Sequence, residues 1–201
     1  MSPIQFWFSI GSTYSYLTVM RLDAIERRYG VSFDWRPFSV RALMREMNNV
    51  PFVGKPAKER YMWRDLERRA GVHGLPIRLP VEYPLEHFDL ANRIAIVAAD
   101  EGWCPAYVRS AYRLWFNEGL PAGSNANVRA SVEAADQDPD RVLEIAATTE
   151  TGDAYEAATA TARSLGIFGS PSFVVGDDEL FWGDDRLEDA VGFALESGRQ
   201  G

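Results

Sequence analysis

The stretch Phe6-Trp7-Phe8-Ser9-Ile10-Gly11-Ser12-Thr13-Tyr14-Ser15-Tyr16-Leu17 constrains the fold of this chain more than any other. Large apolar residues crowd Phe6 to Ile10, as a buried strand requires, and Gly11 supplies the backbone freedom for a turn. Ser12 is a favoured N-cap, so a helix is expected to start there with Ser12 and Ser15 in its first turn as a Ser-x-x-Ser pair. A helix N-terminus favours negative charge. With two hydroxyls and no thiol, the turn can hold a thiolate but cannot supply one.

The rest of the chain divides by period. Helical spacing continues from Ser12 through Leu17, Met20, Leu22 and Ile25 to Tyr29, where Gly30 stops it. Val31-Ser32-Phe33-Asp34-Trp35 alternates as a strand that Pro37 ends, giving β-α-β with a right-handed crossover. Helical pattern then fills Val40 to Met47, Ala57 to Ala70, Leu85 to Glu101, the segment opened by Pro105, Val128 to Ala135, Arg141 to Ala147 and Gly152 to Leu165. A turn-rich loop spans Asn48 to Pro56, and proline makes Leu75 to Pro84 irregular. After Gly166, a strand ending at Val175 and a second over Glu179 to Trp182 flank a turn at Asp177-Asp178, and a helix runs from Asp184 to Leu195. The expectation is an α/β fold: a four-stranded mixed sheet from residues 1–38 and 166–201, interrupted by an all-helical insertion over residues 39–165.

Charge and cysteine content remove whole function classes. A formal charge of -8, from 21 basic against 29 acidic residues, argues against nucleic acid or an anionic membrane as the main partner. The lone Cys104 rules out an intramolecular disulfide, a Cys-x-x-Cys redox pair and a cysteine-rich zinc site, and its expected role is to fill space. His73 and His87 lack metal-ligand spacing, so no metal is expected. No run approaches ~20 apolar residues and the N-terminus carries no signal pattern, which makes a soluble cytoplasmic protein the expectation. The aromatic-rich segment Tyr107 to Phe116 is a candidate surface between subunits, set against intradomain packing.

Three separated motifs carry a resemblance. They are Phe8 to Leu17; Trp35-Arg36-Pro37-Phe38 with Asn49 to Met62; and Gly166-Ile167-Phe168-Gly169-Ser170-Pro171-Ser172-Phe173 through Phe181-Trp182-Gly183-Asp184-Asp185-Arg186. In this order they resemble the DsbA-like thioredoxin fold, and more narrowly the 2-hydroxychromene-2-carboxylate isomerases and kappa-class glutathione transferases. Two positions depart from that pattern. Thr13 stands where the family commonly has proline, and Ser170 where it has an aliphatic residue before a cis-proline.

The resemblance implies glutathione as cofactor. Ser12 would donate a hydrogen bond to its thiolate, and Ser170, before a cis Pro171, would pair by its backbone with the cysteinyl unit. Asp185, helped by Asp184, would take the glutamyl ammonium, and Lys58 with Asn49 the glycyl carboxylate. Tyr14, Trp35 and Phe38 would line an aromatic acceptor pocket. Each residue also has a plain structural reading: Ser12 as a cap, Pro171 as a trans strand start, Asp184 and Asp185 as helix-start acids, Lys58 as a surface lysine. The implied reaction is isomerisation of 2-hydroxychromene-2-carboxylate or a similar aromatic-catabolism intermediate, through reversible thiolate addition, bond rotation and elimination. A kappa-like transferase conjugating electrophiles and a non-catalytic binding module are the alternatives. The family is typically dimeric, so a homodimer is expected.

Overall fold

The computed structural model describes residues 2–49, 52 and 54–198. Of the loop expected over Asn48 to Pro56, Val50, Pro51 and Val53 lie outside the described residues. The chain opens with β1 (Ile4–Phe8), α1 (Thr13–Val19), α2 (Leu22–Tyr29) and β2 (Phe33–Pro37). Helices α3 (Val40–Glu46), α4 (Pro56–His73), α5 (Phe88–Glu101) and α6 (Cys104–Arg113) follow, the last continued by a π-helical turn over Leu114–Glu118. Then come α7 (Asn125–Glu133), α8 (Pro139–Ala147) and α9 (Thr149–Ser164), the hairpin β3 (Ser172–Val175) and β4 (Glu179–Trp182), a 3-10 turn at Asp184–Arg186, and α10 (Leu187–Ser197).

The four strands form one mixed sheet in the order β2-β1-β3-β4. β1 runs parallel to β2, with Phe6 opposite Trp35, and antiparallel to β3, with Phe6 opposite Phe173. This is the thioredoxin-like sheet with a helical insertion that the sequence predicted. No helix among the described residues is long and apolar enough to cross a membrane.

Aromatic side chains account for the centre of the core. Phe6 stacks on Phe8 and on Phe173 at 5.2 and 5.6 Å, and Trp35 meets both Phe6 and Phe8 edge-on at 5.0 and 5.6 Å. Phe38 is fully buried and packs edge-on against Trp7. These contacts correct the assignment of Trp35 and Phe38 to an acceptor pocket. Both belong to the sheet's packing: strand alternation turns Trp35 onto Phe6 and Phe8, and Phe38, just past the end of β2, is held by its amide to Phe8 O and packs on Trp7.

For the Tyr107 to Phe116 segment, intradomain packing is the alternative that the structure shows. Tyr107, Val108, Ala111, Tyr112, Trp115 and Phe116 are all buried within the protomer, so this apolar stripe is core and offers no subunit surface. Cys104 is buried too, and burial pushes its thiol well above the ordinary range, consistent with a space-filling role.

The helix expected to run unbroken from Ser12 to Tyr29 is two helices. At Arg21 the amide bonds back to Thr18 O rather than continuing the α pattern, and the Arg21 side chain turns inward to Asp184 and Glu188. The helix expected from Leu85 begins only at Phe88. Gly30 ends α2 in the left-handed conformation, as the sequence predicted.

Candidate functional site

β1 ends at Phe8, so Ser9 and Ile10 pass beyond the sheet with buried backbone groups that need other partners. Asn92 of α5 supplies them. Its Oδ1 accepts from Ile10 N–H at 2.8 Å, and its Nδ2 donates to Ile10 O and Phe88 O, both at 2.8 Å. The Ser9 amide donates to Ser170 Oγ at 2.9 Å, and Tyr112 donates to Ser9 O and Ser12 O, both at 3.1 Å. Burial raises the Tyr112 phenol far above its ordinary range, which keeps it protonated and a donor.

Gly11 makes the turn possible. Its φ is +122°, and a Cβ there would come within 2.6 Å of the Phe88 ring. Ser12 then enters α1 with its side chain making no cap hydrogen bond, which corrects its expected capping role. The hydroxyl instead donates to Ser170 O at 2.6 Å, and the Ser170–Pro171 peptide is cis. Ser12 is half-buried, while Thr13 and Ser15 beside it are buried. Thr13 Oγ1 donates to Met62 Sδ at 3.2 Å, so the residue standing in place of the family's proline ties α1 to α4. The Ser170 hydroxyl, absent from the family pattern, pairs with Ser15 Oγ at 2.9 Å and faces inward.

Asp184 sits at a second turn. It is 2 % exposed, and Arg21 reaches its Oδ1 at 3.3 Å while Arg69 Nε donates to its Oδ2 at 2.8 Å. Both oxygens are engaged, so Asp184 anchors the turn and does not face a ligand ammonium, which corrects its expected part at the glutamyl end. Gly183, at φ +116°, lets Asp185 fold back: a Cβ on Gly183 would come within 2.5 Å of Asp185 Oδ1. Asp185 is exposed beside Arg186, at 3.1 Å.

The remaining predicted residues are more dispersed. Tyr14 is half-buried at the α1–α4 interface and donates to Asp65 at 2.9 Å; burial and that carboxylate raise its phenol above the ordinary range. Asn49 and Lys58 are exposed on the two sides of the loop that enters α4, and no hydrogen bond connects either to Ser12 among the described residues. The structure therefore brings Ser12, Ser170 and Pro171 together and sets Asp185 at the next turn.

Sequence reasoning missed Asn92, Tyr112, Arg21 and Arg69. Only a weak signal marked Asn92, a polar residue on the inward face of an apolar helix. Nothing in the local pattern sets the two arginines apart from solvated charges.

The DSBA-like thioredoxin domain model matches residues 3–192. A 2-hydroxychromene-2-carboxylate isomerase from Sphingobium xenophagum is 27% identical over 195 residues, covering 96% of this chain and 98% of that protein. Glutathione S-transferase kappa 2 from Caenorhabditis elegans is 23% identical over 206 residues, covering 96% and 92%. Among solved structures, a 2-hydroxychromene-2-carboxylate isomerase superposes with a TM-score of 0.85 at 24% identity, covering 99% of this chain and 98% of that one.

Proposed function

The chain belongs to the family of DSBA-like thioredoxin domains, and we propose that this member is a glutathione-dependent isomerase acting on 2-hydroxychromene-2-carboxylate or a similar aromatic-catabolism intermediate. One observation carries the reading: the Ser12 hydroxyl lies 2.6 Å from the carbonyl that precedes the cis-proline, in a turn where both thioredoxin-type thiols are replaced by hydroxyls. The reaction then needs an imported thiol. The named isomerase and kappa-transferase relatives support that choice.

The residues present fit glutathione at the thiol and glutamyl ends. Ser12 offers a hydroxyl donor at a helix start, Ser170 a backbone acceptor, and Asp185 an exposed carboxylate for the ammonium. Lys58 and Asn49 remain the proposed holders of the glycyl carboxylate. When bound, glutathione supplies the thiolate that adds reversibly to the conjugated enone and leaves after the bond has rotated.

The chain's own part is to hold that anion. The Ser12 hydroxyl has one proton, donated in this structure to Ser170 O. Ser170 O would accept a peptide N–H of bound glutathione, and the Ser12 hydroxyl would then be able to donate its one proton to the thiolate. Asn92 and Tyr112 keep Ser12 in place while this happens, because they fix the backbone on both sides of Gly11. A homodimer in the cytoplasm, where thiols stay reduced, is the setting proposed for this chemistry.

The test is isomerisation with and without glutathione. Wild type should require the thiol, and Ser12→Ala should lose roughly 10²- to 10³-fold in kcat, the scale for removing one donor to a developing anion. Full activity without any thiol would overturn the reading. A second reading, transfer of glutathione to electrophiles, rests on the kappa-class relative. Consumption of glutathione during turnover distinguishes it, because isomerisation returns the thiol unchanged.

A further inference from the structure

Arg41, on α3, is half-buried beside the Ser12 turn and makes no ion pair among the described residues. Among the other buried and half-buried arginines, Arg21 and Arg69 meet Asp184 and Arg109 meets Asp23, whereas Arg93, like Arg41, donates to a backbone carbonyl, that of Thr148, and pairs with no carboxylate among the described residues. Arg41 places its guanidinium over the Phe88 ring, 4.0 Å from the centroid, and donates one N–H to Leu85 O at 2.8 Å. Phe88 is the ring against which Gly11 packs. The guanidinium is thus one aromatic ring away from the residue preceding Ser12, with further N–H donors not engaged by a carboxylate.

Aromatic side chains surround the same corner. Tyr83 meets Phe52 and Trp63 edge-on, each at 5.8 Å. All three are partly buried against the core, and Trp63 stands on α4, the helix tied to α1 by Thr13 at Met62 and by Tyr14 at Asp65. Burial lowers the Arg41 pKa and the charge of Asp89 opposes that shift without forming an ion pair, as for a cation held short of its counter-ion.

We propose that Arg41 is the anchor for the carboxylate of the acceptor, and that the partly buried Phe52, Trp63 and Tyr83 flank the acceptor's aromatic ring. The site would thus select planar aromatic acids over neutral analogues. A guanidinium offers paired N–H donors matching a carboxylate, and its stacking on Phe88 fixes their plane. The proposal rests on the glutathione-dependent reading only for the identity of the acceptor. It replaces Trp35 and Phe38 with residues that the fold leaves at the mouth of the Ser12 turn.

The test uses two unreactive probes, chromone-2-carboxylate and chromone-2-carboxamide, titrated into the purified protein by calorimetry, with a separate glutathione titration. Wild type should bind the acid at least about tenfold more tightly than the amide, the scale of a hydrogen-bonded charged pair. Arg41→Gln should abolish that preference, and Arg41→Lys, which keeps charge and stem but loses the paired donors, should retain part of it. Both variants should bind glutathione within about twofold of wild type, which also shows that they fold. Equal binding of acid and amide by wild type, or an unchanged preference in folded Arg41→Gln, overturns the assignment. Glutathione binding without carboxylate preference defeats the Arg41 assignment alone. Carboxylate preference that depends on Arg41 without glutathione binding defeats the cofactor reading and leaves the anchor in place.

Discussion

The turns at Gly11–Ser12 and at Gly183–Asp184 both depend on a glycine at positive φ, yet they are held by opposite means. The first is secured by neutral groups: the Asn92 amide, the Tyr112 phenol and the Ser170 hydroxyl satisfy the backbone of Ser9, Ile10 and Ser12. The second is secured by charge, with Arg21 and Arg69 closing on buried Asp184. The difference separates two tasks. A turn proposed to hold a thiolate gains from having no buried carboxylate beside it, since a like charge would raise the thiol pKa. A turn proposed to meet an ammonium can use a carboxylate, but the buried one is neutralised by arginines, and only exposed Asp185 remains to face a ligand.

Removing one partner from the charged turn should have the largest effect. Asp184→Ala leaves Arg21 and Arg69 without their acid, and breaking a buried pair in this way costs about 3 to 5 kcal/mol. Urea unfolding measures it; a loss below about 1 kcal/mol would show that water already compensates the arginines and would remove the contrast between the turns.

The neutral turn comes next. Asn92→Ala strands the Ile10 N–H and C=O, each costing about 1 to 2 kcal/mol when buried without a partner, for an expected loss of about 2 to 4 kcal/mol. Its effect on the proposed isomerisation sharpens the comparison: kcat should fall in Asn92→Ala, because the Ser12 backbone is released, by more than the folded fraction accounts for. Ser170→Ala tests a single link of the same network. It deprives Ser9 N–H and Ser15 Oγ of their partner, and about 1 to 2 kcal/mol should be lost in the same unfolding assay.

The smallest effect belongs to an ion pair outside both turns. Hydrogen bonds from Arg141 and Trp103 lower the Glu101 carboxyl from 4.5 to about 2. A depressed carboxyl stabilises the fold above its unfolded pKa, and that contribution disappears as pH falls through the interval from about 4.5 to about 2. With side chains 31% and 41% exposed, the pair is worth less than about 1 kcal/mol. Glu101→Gln should therefore narrow the stability gap between pH 7 and pH 3 by no more than that in thermal unfolding. A larger change would mean that exposed pairs rival the buried one at Asp184.

Much of the fold was legible because it depends on short-range pattern. The strand-turn-helix at Gly11, the glycine stop at Gly30 and the closing hairpin are local decisions of period and backbone freedom, and each stands where the sequence put it. The sites were legible in part. Ser12, Ser170 and Pro171 meet as the family motifs implied, although the Ser12 hydroxyl bonds across the turn to Ser170 O rather than capping its own helix. Trp35 and Phe38 were misplaced because an aromatic residue beside a motif reads the same whether it faces a pocket or the core.

What the sequence determined by itself is which turn is proposed to bear the chemistry: hydroxyls in place of thiols, one cysteine in the whole chain, and a serine-proline pair 158 residues further on. Which side chains complete that turn was decided only by the tertiary structure. Asn92 and Tyr112 lie on helices about 80 and 100 residues away from it, and Arg69 lies 115 residues from Asp184. Such partners are chosen by buried polar groups that must be satisfied wherever the chain brings a donor or acceptor near them. No local pattern records that requirement, because it arises only once water has been excluded.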